Sequence, residues 1–328
     1  MIRLALAAAV ATVLATGLAP GESRAQAYPN RPITMVVPFA PGGPTDIVAR
    51  IVAERMSQTL GQQVVIENVA GAAGTTGAAR VARAAPDGYT LLMGPMSTMS
   101  FSPALYPRLS FDPLTDFEPV GIVASAPIML VASNRSPGAT LTDFSSHLKS
   151  NAQGVNNGNA GVGSTSHLAC VLYNNRVGVN PTLVPYRGTG PALQDLVAGQ
   201  IGYMCDQVTS LMAQVQAGAV KPLAVLAPSR SPVLPNVPTA AEAGLPGVEM
   251  VVWNSIFAPK GTPAEIVSAL NAAIQKAIDD PAALRSFLQL GAEPPPPAQR
   301  TPQALRATHA ADVAKWGQII RDANIKVE

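Results

Sequence analysis

The residues best suited to bind a ligand are concentrated in glycine-rich turns, each of which separates a short apolar run from a helical pattern. The four turns are residues 38–46, 71–77, 158–167 and 187–191. A helix N-terminus presents unpaired backbone N–H groups and a partial positive charge, and glycine lets a ligand approach that backbone closely. One such turn indicates little, since glycine is also common in ordinary tight turns. Several of them, in both halves of the chain, predict a cleft that binds an anion without a salt bridge.

Motifs typical of catalysis, nucleotide binding and metal binding are absent from the sequence. There is no GxxxxGK[ST], GxGxxG or GxSxG pattern, and residues 71–77 have GxxGxxG spacing instead. The histidines are scattered, without an HExxH or CxxC pattern, at His147, His167 and His309. His167 lies next to serines, but a base so near to hydroxyls in sequence is typical of a residue that opens a helix. We therefore expect no enzymatic activity, no metal and no cofactor.

Polar side chains also follow two of the apolar runs. Asp206 and Gln207 end the run that begins at residue 201, and Ser97 and Thr98 follow the run that ends at Gly94. The carboxyl ends of parallel strands face the usual ligand crevice of an α/β sheet. An unpaired carboxylate at position 206 would repel a carboxylate ligand, so Asp206 is useful only if the ligand also offers a hydroxyl, an amine or a protonated acid. The alternative is a cap on a helix at 208–216, and both interpretations stay open.

Short apolar runs alternate with helical patterns along the chain, which is typical of an α/β protein with mainly parallel sheets. The runs that predict strands buried on both faces are residues 33–39, 64–67, 89–94, 182–186 and 201–205. Helices are expected at 45–60, from 262 to about 279, and at 302–322. The second of these begins with a capping box, Thr262-Pro263-Ala264-Glu265, which has proline at the first helical position.

Two longer extended stretches indicate how the chain is divided. Residues 120–132 and 220–227 each resemble a strand that leaves one lobe and enters another. If both cross at the same place, lobe 2 comprises residues 127–225, and lobe 1 comprises 28–126 together with 226–328. Two crossing strands form a hinge, because a few backbone torsions absorb the closing motion. The expected ligand cleft lies between the lobes.

The first 27 residues have the pattern of a secretory signal. Arg3 is followed by an uncharged run, and Ala25-Gln26-Ala27 provides a small-x-small cleavage site. We expect a soluble periplasmic protein that begins at Tyr28. Cys170 and Cys205 are the only cysteines, and an oxidising compartment favours a disulfide between them over two free thiols, although the spacing decides neither.

The charge of the chain limits its partners. It contains 22 basic and 20 acidic residues, interspersed along the sequence, with a net charge of +2. A nucleic-acid or membrane-surface partner requires a basic stripe, which the sequence does not contain. The expected partner is therefore a small molecule rather than nucleic acid.

A series of motifs extends from Tyr28 to near the C-terminus. In order, they are YPxRPI from residue 28, PFxPGGxxD from 38, APDGYTLLMG from 85, GSxxHLA from 163, VPYRGxxPA from 184, DLxxGQ from 195, VPTxxEAG from 237 and FAPxGTP from 257. The series resembles the Bug family, the extracytoplasmic solute receptors of tripartite tricarboxylate transporters. The resemblance implies a two-lobed periplasmic-binding-protein fold, type II-like, that closes around a small carboxylate or amino acid. It further implies a monomer that delivers its ligand to membrane permease subunits or, as the alternative, to a sensor kinase.

The same resemblance assigns roles to the two turns that face the cleft. The turn at 38–46 resembles a first-lobe clamp on a carboxylate, and Gly163–Ser166 resembles its second-lobe partner. The first-lobe clamp has Phe39 as a wall, backbone donors at Ala40, Gly42 and Gly43, the Thr45 hydroxyl, and Asp46 at its end; the second has Gly163, Ser164, Thr165 and Ser166. Family members often have Asn-Ala-Ile-Asn-Pro where this chain has Ser100-Phe101-Ser102-Pro103. This departure leaves the ligand's identity open.

Overall fold

Strands and helices alternate through most of the chain. The computed structural model describes residues 28–325, so the expected signal sequence lies outside the described residues. The strands are β1 (Ile33–Val37), β2 (Val64–Asn68), β3 (Thr90–Pro95), β4 (Phe117–Ser133), β5 (Asn157–Asn159), β6 (Leu183–Pro185), β7 (Tyr203–Gln207), β8 (Val220–Leu226) and β9 (Val251–Pro259). The α-helices are α1 (Pro44–Leu60), α2 (Thr75–Ala82), α3 (Ser102–Leu105), α4 (Leu141–Asn151), α5 (Thr165–Val177), α6 (Thr189–Ala198), α7 (Val208–Gln216), α8 (Ala264–Asp279), α9 (Pro281–Gln289) and α10 (Pro302–Asp322). Among the described helices, none has the length and apolar character of a membrane span.

The strands form a nine-stranded sheet in which β4 is shared by two halves. In the first half the order is β2-β1-β3-β9-β4. In the second half β4 lies between β8 and β7, and β5 and β6 follow beyond β7. Strand β4 pairs with β9 from Phe117 to Pro127 and with β7 and β8 from Ile128 onward. One long strand therefore runs through both lobes, at the place where the first crossing strand is expected.

The return to the first lobe takes a longer route than expected. Strand β8 pairs with the second-lobe part of β4 along its whole length, so it does not itself enter the first lobe. Residues 227–250 make the return, and Met250 bonds at the crossing point, donating to Leu226 O at 2.7 Å and accepting from Ile128 N at 3.0 Å. Both connections thus pass the same place, next to the change of partners on β4.

The sheet is mixed rather than mainly parallel, which corrects the expectation from the sequence. Strand β1 is parallel to β2 and β3, and β5 is parallel to β6 and β7. All pairings of β4 and β9 are antiparallel. The physical reason is the shared strand, because a chain that crosses along β4 and returns must run back alongside it.

Burial of β1 on both faces explains its nearly continuous apolar sequence. Ile33, Met35 and Val37 pack with apolar side chains of α1 and α8. Val36 faces the opposite layer, where the core includes residues of α2 and Trp316 of α10. Helices thus cover both sides of the first-lobe sheet, as expected for a strand that lacks polar alternation.

The local signals for two helices had different outcomes. Helix α1 begins with Pro44 after Gly43 and ends at Gly61, whose left-handed φ of 69° closes the last turn. Helix α8 begins close to where it is expected, but the predicted capping box is wrong. Thr262 donates its hydroxyl to Pro259 O at 2.7 Å, and Pro263 occupies the N-cap position without a side-chain capping bond.

A disulfide joins Cys170 of α5 to Cys205 of β7, with a Cα–Cα distance of 5.5 Å. Both residues are fully buried in the second lobe. The bond therefore ties a helix and a strand whose ends reach the cleft between the lobes.

Candidate functional site

The β1–α1 turn is held in place by the carboxylate of Asp46. Asp46 accepts hydrogen bonds from Gly42 N at 3.0 Å, from Arg50 Nε and Nη2 at 2.9 Å each, and from Asn68 Nδ2 at 2.9 Å. Asn68 also donates to Phe39 O at 3.0 Å, so the β2 end supports the same turn. Burial alone would raise the pKa of Asp46, but these hydrogen bonds and the Arg50 guanidinium outweigh it and lower the pKa. Asp46 is therefore ionised and occupied in shaping the turn.

The second-lobe clamp is organised at the start of α5. Ser164 is the N-cap residue, and its Oγ accepts from His167 N at 3.2 Å. Gly163 N donates to His167 Nδ1 at 3.2 Å, which assigns the ring proton of a neutral His167 to Nε2. Burial lowers the pKa of His167 to about 4. His167 thus acts as an uncharged support for the turn, consistent with the expectation that it opens a helix.

Asp206 ends β7 as a fully buried carboxylate. Its Oδ2 accepts from the Thr189 hydroxyl at 2.5 Å, and its Oδ1 accepts from Gln207 N at 2.7 Å. Burial raises the pKa of Asp206 to about 6, although bonds from Thr189, Gln207 N and Ser210 work against burial. Helix α7 has Gln207 as its N-cap and no side-chain capping bond. Asp206 therefore bonds Thr189 of α6 as well as the start of α7, but it is not the N-cap residue of α7.

A cavity lies between the two lobes. It is lined by Phe39, Gly43, Pro44, Thr45, Pro95, Ser97, Ala160, Ser164, Thr165, Ser166, Thr189, Asp206 and Gln207. Of the described residues that line it, none is a lysine, an arginine or a histidine, and Asp206 is the one titratable group. Any anion in this cavity is therefore held by backbone N–H groups and neutral side chains.

Four helices begin at the wall of this cavity. Gly43–Thr45 start α1, Ser164–Ser166 start α5, Thr189 starts α6, and Gln207 precedes α7. Each N-terminus contributes unpaired N–H donors and a partial positive charge. Ser166 Oγ is buried without a hydrogen-bond partner, in a side chain that is 2 % exposed. Such an orphaned donor is costly unless a ligand or water pairs with it.

The predicted site residues separate into two groups in the structure. Those that line the cavity are Phe39, Gly43, Thr45, Ser97, Ser164, Thr165, Ser166, Asp206 and Gln207. Those that do not are Ala40, Gly42, Asp46, Thr98 and Gly163. The second group supports the site from behind: Thr98 donates to Ala73 O at 3.0 Å, and Ala40 N donates to Arg187 O at 3.4 Å. Their direct contact with a ligand remains a prediction, as does that of the lining residues.

Four lining residues were not predicted as contacts: Pro44, Pro95, Ala160 and Thr189. Thr189 belongs to the glycine-rich turn at 187–191, so the turn was recognised but its functional hydroxyl was not. Pro44 and Pro95 adjoin predicted contacts and present only apolar surface. Thr189 is distinguished by its hydrogen bond to Asp206. The two residues are 17 positions apart, so the residues next to Thr189 in sequence do not predict this bond.

The two lobes touch one another around the cavity. Tyr106 Oη donates to Val162 O at 2.8 Å, and Asn254 Nδ2 donates to Gln207 Oε1 at 3.2 Å. A Cβ added to Gly190 would lie 2.9 Å from Pro41 O, which explains why the smallest residue stands at this contact. The two lobes are thus closed against one another, and both contribute to one site.

Two α/β lobes that share a crossing strand and close around a polar cavity define the periplasmic-binding-protein fold. Residues 48–325 match the tripartite tricarboxylate transporter family receptor, and the chain belongs to this family of solute receptors. It is 42 % identical over 315 residues to a UPF0065 protein of Agrobacterium vitis from the TAR-I ttuE-ttuC' intergenic region, covering 96 % of this chain and 91 % of that protein.

Solved structures show the same architecture. The periplasmic binding protein BugD is 41 % identical and superposes with a TM-score of 0.89, covering 92 % of this chain and all of BugD. MatC of Rhodopseudomonas palustris, solved with bound malate, is 45 % identical with a TM-score of 0.87, covering 89 % of this chain and all of MatC. These likenesses confirm the Bug-family resemblance that the sequence motifs indicate.

Proposed function

We propose that this chain captures a small carboxylate between its lobes, releases it unchanged, and performs no catalysis. The observation that carries the proposal is the convergence of four helix N-termini on one cavity, with the unpaired Ser166 hydroxyl among them. Helix N-termini bind anions through N–H donors and the helix dipole, without any cationic side chain. MatC, which is 45 % identical, holds malate, a ligand of this chemical class.

The composition of the cavity wall supports a small organic ligand. The partly apolar wall provided by Phe39, Pro44 and Pro95 suits the carbon chain of a di- or tricarboxylate, an aromatic acid or an amino acid. We take the residues that line the cavity as the ligand contacts, and Asp46 as a support of the first-lobe turn.

The proposed setting follows from the family and from the N-terminal pattern. After cleavage of residues 1–27, the receptor works as a monomer in the periplasm and delivers its ligand to permease subunits of a tripartite tricarboxylate-type transporter. The alternative recipient is a sensor kinase. In a deletion strain, loss of uptake supports delivery to a permease, whereas loss of induction with uptake intact supports delivery to the kinase.

A thermal-shift screen tests the proposed binding function directly. The purified protein is heated with mono-, di-, tri- and aromatic carboxylates and with amino acids. A ligand that binds only the folded state stabilises it, by about 2.7 kcal/mol at a concentration 100 times its Kd. We expect at least one carboxylate to raise the Tm in a concentration-dependent manner. A flat response to every carboxylate and amino acid in the screen would contradict the proposal.

A further inference from the structure

Asp206 is an unusual component of a cavity that binds anions. Its side chain is 2 % exposed, and of the described residues that line the cavity none provides a cation to pair with it. A buried carboxylate without a counterion is costly, and it repels a second carboxylate nearby. Helix capping does not explain why this carboxylate is buried, because α7 has no side-chain capping bond.

The hydrogen bonds of Asp206 are incomplete without a ligand. A carboxylate has about four lone-pair positions. Thr189 occupies one on Oδ2, Gln207 N occupies one on Oδ1, and the Ser210 hydroxyl also reaches the carboxylate, so about one position is left for a donor on the ligand. Because Thr189 donates its single hydroxyl proton to Asp206, that hydroxyl offers the cavity only an acceptor. Asp206 and Thr189 together therefore form a wall that accepts hydrogen bonds, within a cavity whose helix N-termini donate them.

We propose that Asp206 makes the cavity selective for carboxylates that also carry a hydroxyl or ammonium group. This inference rests on the proposed function and narrows its ligand class. A hydroxyl or ammonium donor satisfies the acceptor wall while the helix N-termini hold the carboxylate. An unsubstituted acid leaves the wall unpaired, and sites built around a buried polar group strongly reject analogues that lack its partner.

Matched ligand triplets provide the test, because they differ only in the substituent. The triplets are succinate, malate and aspartate; glutarate, 2-hydroxyglutarate and glutamate; and propionate, lactate and alanine. Calorimetry at pH 7.5 measures each Kd for the wild type and for Asp206→Asn. We expect a substituted acid to bind the wild type about ten-fold or more tightly than its unsubstituted parent. In Asp206→Asn the ratio of the two Kd values, unsubstituted to substituted, should fall to about three-fold or less. The main reason is that the unsubstituted acid binds the variant more tightly than it binds the wild type.

A control variant separates this effect from a general change of charge. Asp279→Asn makes the same substitution at an exposed position that does not line the cavity and pairs with Arg300 at the surface. It should leave every ratio within the triplets unchanged. Thermal unfolding of both variants shows whether they are folded at the temperature of the titration.

A second measurement needs no variant. When an unsubstituted acid binds the wild type at pH 7, the charge on Asp206 must be neutralised, so we expect uptake of about one proton per ligand. A hydroxy acid should take up close to none. Calorimetry in buffers of different ionisation enthalpy measures this number, and an equal proton uptake for both members of a pair would overturn the proposal.

The proton can be assigned because other titratable groups near β7 do not reach the ligand. Helices α5 and α6 pack on β7 and carry titratable side chains. These side chains are His167, Tyr173, Arg176 and Asp195. His167 accepts from Gly163 N, Tyr173 pairs with Ser145 and Asp195 accepts from Tyr186. Arg176 is exposed. Of these four, none lines the cavity.

The possible failures are distinguishable. If acids of the triplets bind but the wild type does not prefer substituted members, the selectivity inference is wrong while the proposed function stands. The same conclusion follows if Asp206→Asn keeps the wild-type preference. If none of the nine acids binds and the thermal-shift screen is also flat for every carboxylate, the proposed ligand class fails and the inference fails with it.

Discussion

At the scale of single residues, the second-lobe clamp divides its work between two neighbouring serines. Both serines line the cavity, but Ser164 Oγ accepts from His167 N and so caps α5, whereas Ser166 Oγ has no protein partner. The same hydroxyl group therefore serves the fold at one position and is available to a ligand two positions later. A substitution at each position should change a different property.

We expect Ser166→Ala to weaken binding of malate, or of the acid most active in the thermal-shift screen, by about 1–2 kcal/mol, the scale of one hydrogen bond to a charged group. Its stability without ligand should change little, because no protein bond is lost. Ser164→Ala should instead lower stability by about 1 kcal/mol through loss of the cap. Calorimetry and urea unfolding of both variants measure the two effects. A stability loss confined to Ser166→Ala would contradict this division.

Asp206 and His167 should also oppose one another in the pH dependence of stability. Burial raises the pKa of Asp206 to about 6, so its contribution to the free energy of unfolding falls as the pH rises from about 4 to 6. Burial lowers the pKa of His167 to about 4, so its contribution rises with pH between about 4 and 6.5. The two slopes have opposite signs in the same window and largely cancel in the wild type.

Asp206→Asn should expose this balance. The free energy of unfolding of the variant minus that of the wild type should be about 2–3 kcal/mol higher at pH 7 than at pH 4. A shift of two pKa units corresponds to about 2.7 kcal/mol. His167→Asn, which keeps an acceptor for Gly163 N, should change the pH dependence in the opposite direction. Urea unfolding at both pH values measures the difference. An Asp206→Asn effect of equal size at pH 4 and pH 7 would show that Asp206 is not the titrating group.

At the scale of elements, the disulfide ties together the two parts of the second-lobe wall. Cys170 lies on α5, whose N-terminus carries Ser166, and Cys205 directly precedes Asp206. The bond closes a loop with a sequence separation of 35 residues. Chain-entropy arguments give about 3–4 kcal/mol for a loop of this length.

We expect the double substitution Cys170→Ala with Cys205→Ala to lower the free energy of unfolding by about 2–4 kcal/mol and to weaken ligand binding. The binding loss is expected because the wall is no longer held by a covalent bond. Unfolding and calorimetry of the double variant, at a temperature where it is folded, measure both. An unchanged affinity in a folded double variant would show that packing alone positions the wall.

The elements that the sequence predicted well are those with a local cause. Strand β1 is recognisable because burial on both faces requires an unbroken apolar run, and α1 because apolar residues recur at helical spacing over 45–60. The antiparallel position of β9 depends on β4, more than 100 residues earlier in the chain, so no local pattern reveals it.

The same limit applies to the site. Three of the four glycine-rich turns contribute residues to the cavity, whereas the turn at 71–77 contributes none. The bond from Asn68 to Asp46 could not be predicted, because Asn68 is 22 residues away on β2, whereas Gly42 and Arg50 are only four residues from Asp46. The sequence also left open whether Asp206 caps a helix or faces the cleft, because this depends on its contact with Thr189, 17 residues away.

At the scale of the whole molecule, the crossing point on β4 explains how the two lobes can move. The pairing partners of β4 change between Pro127 and Ile128, and the return segment bonds at the same place through Met250. The change of partners supports the proposed start of the second lobe at residue 127, whereas the return crosses at Met250, later than the proposed end at residue 225. Opening there would break the contacts that close the cavity, such as Tyr106 with Val162.

We expect ligand to favour the closed form, because the cavity takes contacts from both lobes only when they meet. Small-angle X-ray scattering should therefore give a smaller radius of gyration at saturating ligand than without ligand. An identical profile in both conditions would argue against a ligand-driven closing motion, although binding itself would remain possible.

The central claim is that helix N-termini, rather than a salt bridge, hold the carboxylate. Gly43 has an extended backbone, and an added Cβ would lie 3.6 Å from Thr189, so the methyl groups of valine would project into the cavity. Arg187, the cation of the adjoining turn, is exposed and does not line the cavity.

Calorimetry with the most active carboxylate, on folded Gly43→Val, Gly43→Ala and Arg187→Gln, tests this claim most directly. We expect Gly43→Val to abolish measurable binding, Gly43→Ala to weaken it, and Arg187→Gln to cost less than either, within about 1 kcal/mol as for an exposed charge. If Arg187→Gln alone eliminates the affinity while Gly43→Val leaves it intact, the site is a salt-bridge pocket and the account is wrong.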